Sequence, residues 1–335
     1  MFREAQEASA AVRSQLDENR GLIEALGEAL RELSPRAVVT CGRGSSDHAA
    51  TFAKYLIETR TGLHTSSAAP SISSLYATRS DLRSVLFVVI SQSGASPDLV
   101  ATAKAAREAG ALVLAVVNEE ESPLARAAHH RIPLQAGPEK SVAATKSYVA
   151  SLAAILHLVA AWTVDRELQQ ALQQAPDQLA MAWQLDWSPA ISRLGSAESL
   201  YVVGRGLGLG IAREAALKLK ETCGIHAEAF SAAELRHGPM ALIEPGFPVF
   251  VFAQRDETRP GVEALARELG QAGAEVVLAG MELPGLLTLP AQRAHPAIEP
   301  MLMIQSFYRL ANALALARGR DPDRPPHLSK VTETV

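Results

Sequence analysis

The stretch SQSGASPDLV, residues 91–100, carries more hydroxyl and amide groups than a turn between a strand and a helix needs. It follows an apolar run at 85–90 and precedes a helical pattern, and one glycine with one capping residue would be enough there. Phosphate groups are bound by hydroxyls and backbone N–H groups at helix N-termini, where the helix dipole favours negative charge. By itself the stretch favours a capped turn, with a phosphate site as the alternative. The side chains that would bind the phosphate are Ser91, Gln92, Ser93 and the predicted helix cap Ser96.

A second pair of hydroxyls follows the preceding predicted strand, residues 37–41. Ser45 and Ser46 come after Gly44 and would face the same crevice, because the carboxyl ends of parallel strands share one edge of a sheet. The two clusters together favour a phosphate site over a plain turn. Neither contains the Gly-Lys-Ser/Thr of an NTPase loop, and the glycine-rich stretch at 204–210 lacks the acidic residue of a dinucleotide site. The sequence therefore predicts no cofactor.

Three charged residues recur at helical spacing in the second half of the chain. Glu214, Lys218 and Glu221 fall within about 60° of one another on a helix of 100° per residue. One interpretation is a solvated stripe with an i,i+4 ion pair. The glycine-rich turn before the helix favours the other, a group at the ligand-binding edge of a sheet with Glu221 as acid or base. His237, in a His-Gly-Pro turn, is the second acid–base candidate, and a structural histidine is its alternative.

The tail of the chain, residues 319–335, contains three prolines and predicts no regular element. Its less polar part, residues 327–331, would be able to dock on the rest of the chain. Lys330 would then be desolvated, and a desolvated lysine can form a Schiff base with a carbonyl group. The histidines do not have the spacing of metal ligands, so no metal site is predicted.

The chain carries an internal repeat at an offset of 162 residues. Gly42-Arg43-Gly44 recurs at 204–206, and further identities follow at the same offset in the same order of strand, turn, helix and strand. Both halves alternate apolar runs with helical patterns, which is typical of parallel sheets covered on both faces. The predicted fold is α/β, with two duplicated doubly wound parallel-sheet domains and a docked C-terminal tail. The predicted strands are 37–41, 63–68, 85–90 and 112–117, then 200–203, 225–230, 249–253 and 275–279.

The same alternation predicts the domain boundaries. They are an N-terminal helical segment at 1–34, a first domain at 35–165, a helical linker at 166–189, a second domain at 190–318 and a tail at 319–335 that closes the site.

Composition excludes several classes of partner. The 335 residues are 48% hydrophobic and 20% charged, and the net charge of −4 gives no basic footprint for nucleic acid. The most apolar stretch, residues 149–162, is shorter than the roughly 20 residues of a membrane span and predicts a buried helix. Only two cysteines, Cys41 and Cys223, are present, so no disulfide framework is expected. We therefore expect a cytoplasmic protein that binds neither nucleic acid nor membrane.

The motifs SQSG and ALKLKE, with IHAEAF and ELRHGP further on, resemble those of the sugar-isomerase (SIS) family. Within it the chain is similar to the isomerase half of glucosamine-6-phosphate synthase, from about residue 25 to its end. The resemblance implies that the predicted phosphate is that of a sugar phosphate. The residues that would bind it are Ser45, Ser46, Ser91, Gln92, Ser93 and Ser96.

The resemblance also implies a role for each charged residue. Glu221 would move a proton between C1 and C2 of the sugar, and His237 of a neighbouring subunit would open and close the ring. Glu214 and Lys218 would support the site, and Lys330 would form a Schiff base with the ketose. The implied assembly is a homodimer with shared active sites.

The sequence departs from this family at three places. Ala144 replaces a serine, and the serine that should follow the tail lysine is missing before Val331. Synthases also carry an N-terminal glutaminase domain, whereas Met1 here lies only about 35 residues before the first predicted strand. We therefore expect that glutamine is not the nitrogen donor of this chain.

The leading hypothesis is an isomerising glucosamine-6-phosphate deaminase, which gives fructose 6-phosphate and ammonia. A deglycase of a phosphorylated sugar–amino acid adduct needs the same proton shuttle and is the second hypothesis. The third is a phosphosugar-binding regulator without turnover. A helix-turn-helix segment would support it, and we expect none in the first 35 residues.

Overall fold

The chain forms two compact units, and each takes in separate stretches of sequence. The computed structural model describes residues 1–76, 78 and 80–330. Among these, the first-sheet unit comprises residues 10–139, 146–174 and 329–330. The second-sheet unit comprises residues 1–9, 140–145 and 175–328.

Each unit is built on a five-stranded parallel sheet. The first sheet contains β1 (Ala37–Cys41), β2 (Thr65–Ser67), β3 (Val85–Ser91), β4 (Leu112–Val117) and β5 (His130–Pro133). The second contains β6 (Ser199–Gly204), β7 (His226–Ser231), β8 (Pro248–Phe252), β9 (Glu275–Ala279) and β10 (Leu287–Leu289). The strand orders are β2-β1-β3-β4-β5 and β10-β9-β8-β6-β7, so the two sheets have the same topology. The predicted fold of two duplicated, doubly wound parallel sheets is confirmed.

Thirteen α-helices occur among the described residues. They are α1 (Phe2–Gln6), α2 (Ala8–Glu18), α3 (Arg20–Leu33), α4 (Ser45–Thr61), α5 (Pro70–Ser74), α6 (Pro97–Glu108), α7 (Pro123–Ala127), α8 (Lys146–Trp162), α9 (Arg166–Gln184), α10 (Pro189–Leu194), α11 (Gly208–Lys218), α12 (Arg259–Gln271) and α13 (Glu299–Ala317).

Burial explains why these residues form these elements. Every residue of β3 is buried, as expected for a central strand of a parallel sheet with both faces covered. One face of β3 packs Phe87 and Val89 against Leu99 and Ala103 of α6. In α8 all residues but His157 are buried, so the predicted buried helix is confirmed. None of the described helices is long and apolar enough to cross a membrane.

The sequence predicted eight of the ten described strands and missed β5 and β10. Both missed strands lie at the edge of a sheet, and β10 has only three residues. β5 begins with two exposed residues, His130 and Arg131, so it lacks the continuous apolar run of a central strand. A strand that is very short or partly exposed leaves little hydrophobic pattern in the sequence, whereas the internal repeat marked the edge strands β2 and β7.

The helix predicted at 210–223 changes its winding before it ends. α11 stops at Lys218, and Leu219–Cys223 form a single π-helical turn. Such turns are rare and occur frequently at functional sites. Gly224 follows with φ +61°, and a Cβ atom there would lie 2.1 Å from Cζ of Arg320. Glycine at this position therefore permits both the left-handed backbone and the close approach of the arginine.

Because the two sheets have the same strand order, a ligand would bind at the same place in each unit. In an open sheet of order 2-1-3-4-5, ligands bind outside the carboxyl ends of the first and third strands, where the chain reverses direction across the sheet. In the first-sheet unit these strands are β1 and β3, and in the second-sheet unit they are β6 and β8.

Candidate functional site

Two turns rich in hydroxyl groups lie at the carboxyl edge of the first sheet. Ser45 and Ser46 begin α4 directly after β1, and Ser91 is the last residue of β3. β1 and β3 are adjacent and parallel, so both turns lie at the topological switch point. We call these turns, residues 44–46 and 91–96, the hydroxyl cradle.

The turn after β3 is held in one conformation by its own serines. Ser91 Oγ accepts a hydrogen bond from Gly94 N (3.0 Å), and Ser93 Oγ accepts one from Ala95 N (3.3 Å). A hydroxyl that accepts a bond still has its own O–H to donate. Gly94 has φ +59°, and a Cβ atom there would lie 2.1 Å from Oγ of Ser122. The turn thus requires glycine and presents ordered hydroxyl donors.

Ser96 takes the N-cap position of α6, and Pro97 is the first helical residue, as predicted. The Ser96 side chain makes no capping hydrogen bond to any described residue. The prediction of Ser96 as the cap residue is therefore confirmed by its position, without a capping bond from its hydroxyl. Its backbone is extended, with φ −61° and ψ 119°, which is the usual conformation at this position.

A salt bridge that was not predicted from the sequence joins Arg43, just before the first turn of the hydroxyl cradle, to Asp98, just after the second. Arg43 follows β1, and its Nε and Nη2 atoms lie 2.8 and 2.7 Å from Oδ2 of Asp98 in the first turn of α6. The Asp98 side chain is fully buried, whereas half of the Arg43 side chain is exposed. The Asp98 carboxylate balances the charge of the guanidinium group, and the salt bridge holds Arg43 beside the cradle.

The corresponding turns of the second sheet hold a carboxylate of the chain itself. The offset of 162 pairs Gln92 with Gln254 and Ser96 with Thr258. Between them, Asp256 accepts hydrogen bonds from Thr258 N (2.9 Å), Thr258 Oγ1 (2.5 Å) and Gln254 Nε2 (3.0 Å). These donors are already taken by an anion, so the first-sheet copy of the repeat is the better candidate for a phosphate.

The three charged residues predicted to share a helical face form one buried cluster in the second-sheet unit. Lys218 Nζ lies 3.5 Å from Glu214 Oε1 and 2.5 Å from Glu221 Oε2. The side-chain exposures are 1% for Lys218, 0% for Glu214 and 16% for Glu221. The interpretation as a solvated stripe is therefore wrong. A buried ammonium group between two carboxylates can position a base, and Glu221 is the member that reaches solvent.

Glu221 lies in the π-helical turn and contacts Lys218 from there. The two residues are three positions apart, and Lys218 is the last residue of α11. The far end of the turn is anchored by Arg318, whose Nε donates to Cys223 O (2.9 Å). Glu221 therefore lies on a segment that is held at both ends.

His237 is exposed at the end of a short 3-10 helix, Glu234–Arg236. Its backbone N–H donates to Glu234 O (2.8 Å), and Gly238 follows with φ +127°. Tyr201 Oη donates to Pro239 O (3.3 Å), which anchors the turn. The histidine thus stands on a fixed turn with its side chain on the surface of the second-sheet unit.

Lys330 is the last described residue, and it makes a salt bridge within the first-sheet unit. Its Nζ lies 2.9 Å from Oε2 of Glu139, whose side chain is fully buried. Ser147 also donates to this carboxylate, through its backbone N (3.2 Å) and its Oγ (2.7 Å). The part of the predicted tail beyond Lys330, including Val331, lies outside the described residues.

The structure thus groups the predicted site residues in two sets. The hydroxyl cradle and Lys330 belong to the first-sheet unit, whereas Glu214, Lys218, Glu221 and His237 belong to the second-sheet unit. The partners of Lys330 and Glu214, which are Glu139 and Tyr308 respectively, were not predicted from the sequence. These partners are 191 and 94 residues away in the chain, and no local pattern signals such pairs.

Thiol and metal chemistry have no candidate among the described residues. Burial raises the pKa of Cys41 to about 12, and burial also raises the pKa of Cys223. Both thiols are therefore protonated near neutral pH and poor nucleophiles. No group of three or more His, Cys, Asp or Glu side chains in residues 1–76, 78 and 80–330 is arranged to hold a metal ion.

The sequence pattern of the SIS domain matches the chain twice, over residues 33–161 and 193–279. The chain belongs to the SIS family. The first match spans β1 to β5, and the second spans β6 to β9. The resemblance inferred from the motifs is thus confirmed, and each half of the internal repeat contains one SIS domain.

Individual SIS proteins are similar over most of the chain. The glutamine–fructose-6-phosphate aminotransferase (isomerizing) of Aeropyrum pernix is 37% identical over 88% of this chain and 50% of its own length. This chain spans about half the length of the curated relatives it matches. A protein of Silicibacter pomeroyi DSS-3, provisionally assigned as a phosphosugar isomerase, is 41% identical, with a TM-score of 0.93 over 96% of this chain and 99% of its own.

A deaminase with the same fold is more distant. The glucosamine-6-phosphate deaminase of Thermotoga maritima superposes with a TM-score of 0.73 over 97% of this chain and 100% of its own, at 21% identity. At that identity the similarity concerns the fold alone.

Proposed function

We propose that the chain is a phosphosugar isomerase that deaminates glucosamine 6-phosphate to fructose 6-phosphate and ammonia. The observation that carries the proposal is the buried cluster of Glu214, Lys218 and Glu221, in which a carboxylate with partial access to solvent is held by an ammonium group. The hydroxyl cradle at the switch point of the first sheet supports a phosphorylated substrate. The similarity to isomerizing aminotransferases supports an amino sugar.

The proposed reaction consumes one water molecule and needs no redox step. His237 assists opening of the sugar ring, and Glu221 removes the proton from C2 of the open aldose amine. Return of a proton to C1 leaves an imine at C2, and water then adds to the imine carbon. The C–N bond breaks, ammonia leaves, and the C2 carbonyl of fructose 6-phosphate remains. In a variant of the last step, Lys330 would first lose its proton, for which its ion-pair partner Glu139 is the proposed acceptor. Its amine would then attack the C2 imine in place of water, so that ammonia leaves and a Schiff base forms, and water would hydrolyse this Schiff base to fructose 6-phosphate and free lysine.

The test of this proposal is ammonia release by the purified chain across a substrate panel. Glucosamine 6-phosphate should give ammonia and fructose 6-phosphate in equal amounts, and glutamine with fructose 6-phosphate should give no amino sugar. Faster release from sugar–amino acid adducts would favour the deglycase. Tight binding of sugar phosphates without turnover of any of them would favour the regulator.

Ser93→Ala tests the hydroxyl cradle. The phosphate is a non-reacting handle that is bound in the ground and transition states alike, so the substitution should raise KM and leave kcat nearly unchanged. One lost hydrogen bond to a charged group corresponds to an increase of about tenfold or more. Steady-state kinetics on glucosamine 6-phosphate measures this change.

Unphosphorylated glucosamine is the control substrate for this variant, because it lacks the group that the serine would bind. We expect the wild type to have a high KM for glucosamine. The KM of Ser93→Ala for the same sugar should be equal to that of the wild type. Equal KM values for the two sugars in the wild type would contradict a phosphate site.

A complementation experiment tests the proposed homodimer with shared active sites. His237 is exposed on the second-sheet unit, as a residue that serves a neighbouring subunit must be. His237→Ala and Glu221→Gln should each be inactive alone, and a refolded mixture should regain roughly a quarter of the wild-type activity. Random exchange makes half of the dimers hybrids, and each hybrid has one intact site of two. No recovery despite demonstrated subunit exchange would contradict the shared site.

A further inference from the structure

Tyr308 is a buried hydroxyl donor that neither the sequence motifs nor the family resemblance brought into the site. It lies in the middle of α13 and has no solvent exposure. Its Oη donates a hydrogen bond to Glu214 Oε1 (3.1 Å), so it extends the charged cluster by one member. A buried carboxylate needs such donors, because it has lost its hydration.

The same oxygen of Glu214 faces both Tyr308 and Lys218. Lys218 Nζ is 3.5 Å from Glu214 Oε1 but only 2.5 Å from Glu221 Oε2, so the ammonium group lies closer to Glu221. The hydrogen bond from Tyr308 stabilises the Glu214 carboxylate, so Glu214 attracts the Lys218 ammonium group less strongly. Without the tyrosine hydroxyl, Glu214 would compete more strongly for Lys218.

We propose that Tyr308 is a positioning residue for the isomerisation, and that it keeps the Lys218 ammonium group on Glu221 by satisfying Glu214. This inference rests on the proposed function, because it assigns Glu221 the proton transfer. Tyr308 is fully buried and donates to Glu214, so it acts through Lys218 and not on the sugar.

α13 also contacts the C-terminal end of the π-helical turn that contains Glu221. Cys223 Sγ donates to Ala311 O (3.4 Å), one helical turn beyond Tyr308. The helix therefore contacts the segment on both sides of Glu221, at Glu214 and at Cys223. This arrangement lets the tyrosine set the position of Lys218 relative to a fixed π-helical turn.

Tyr308→Phe removes the hydroxyl and keeps the ring. We expect kcat for ammonia release to fall about tenfold, the effect of one hydrogen bond to a charged group, while KM changes less than twofold. Exchange of the transferred sugar hydrogen with deuterium from the solvent, measured by NMR, should fall by the same factor, because it reports the proton transfer alone. A kcat within twofold of the wild type would overturn the inference.

Ser306→Ala is the matched control, because it removes another buried hydroxyl from the same helix. Ser306 Oγ donates to Ala182 O (2.7 Å), with no contact to the charged cluster among the described hydrogen bonds. The control should lower the urea midpoint of unfolding without changing kcat. An equal loss of kcat in both variants would show that α13 acts only through stability.

A double-mutant cycle with Glu214→Met separates this inference from the proposed function. The urea midpoint should shift in Tyr308→Phe but should not shift further when the Glu214 carboxylate is already absent. Equal shifts in both backgrounds, with an active wild type, would overturn the role of Tyr308 alone. The cycle could instead show coupling between Tyr308 and Glu214 while the wild type turns over no amino-sugar phosphate. That result would overturn the proposed function and leave Tyr308 as a structural partner of Glu214.

Discussion

Replacing Glu221 by glutamine is expected to lower the rate of ammonia release by about 10² to 10⁴ while sugar-phosphate binding stays almost unchanged. The proposed base must take a proton from one carbon and return a proton to the next. A glutamine amide has the same shape and can still accept a hydrogen bond from Lys218, but it cannot accept the proton. Binding by calorimetry, together with ammonia release and solvent-deuterium exchange, would separate these effects.

Glu228→Gln provides the matched control for this substitution. Glu228 lies on β7, seven residues further along the chain, and its side chain is exposed. The control should retain the wild-type rate, because a single exposed glutamate contributes little to stability or to the buried cluster. If Glu221→Gln itself deaminates at the wild-type rate, the proton transfer belongs to another residue.

Replacing Lys218 by methionine is expected to abolish activity and to lower the free energy of unfolding by about 3–5 kcal/mol. The methionine fills a similar volume, but it leaves the fully buried Glu214 carboxylate without its ammonium partner. An unpaired buried charge costs more than the pair contributes, because its desolvation is no longer offset. Urea denaturation and ammonia release measure the two parts of this prediction.

Two further variants show whether the unpaired Glu214 charge causes the loss of stability in Lys218→Met. Lys220→Met makes the same change at an exposed position two residues along, and it should alter the free energy of unfolding by less than about 0.5 kcal/mol. Combining Lys218→Met with Glu214→Gln should restore part of the stability and none of the activity, because the second change removes the unpaired carboxylate. An unchanged stability in Lys218→Met would contradict the burial of a charged pair.

Much of the fold could be predicted because a parallel sheet leaves a strong pattern in the sequence. Central strands such as β3 are buried on both faces and therefore read as continuous apolar runs. β5 begins with two exposed residues and β10 has only three residues, so neither left a comparable run. The π-helical turn Leu219–Cys223 was also not predicted, since its residues have the same spacing as those of a regular helix.

The sequence by itself determined the class of fold, its duplication, the two hydroxyl-rich turns and the shared helical face of Glu214, Lys218 and Glu221. These features depend on periodicity and on residues close together in the chain, which a sequence displays directly. Only the tertiary structure decided that this face is buried, that Asp256 occupies the second copy of the turn, and that Tyr308 and Glu139 bind Glu214 and Lys330. Those outcomes depend on which elements pack together and on how much water the packing excludes. Side chains that meet across almost a hundred residues or more leave no local pattern, so their contacts appear only when the chain is folded.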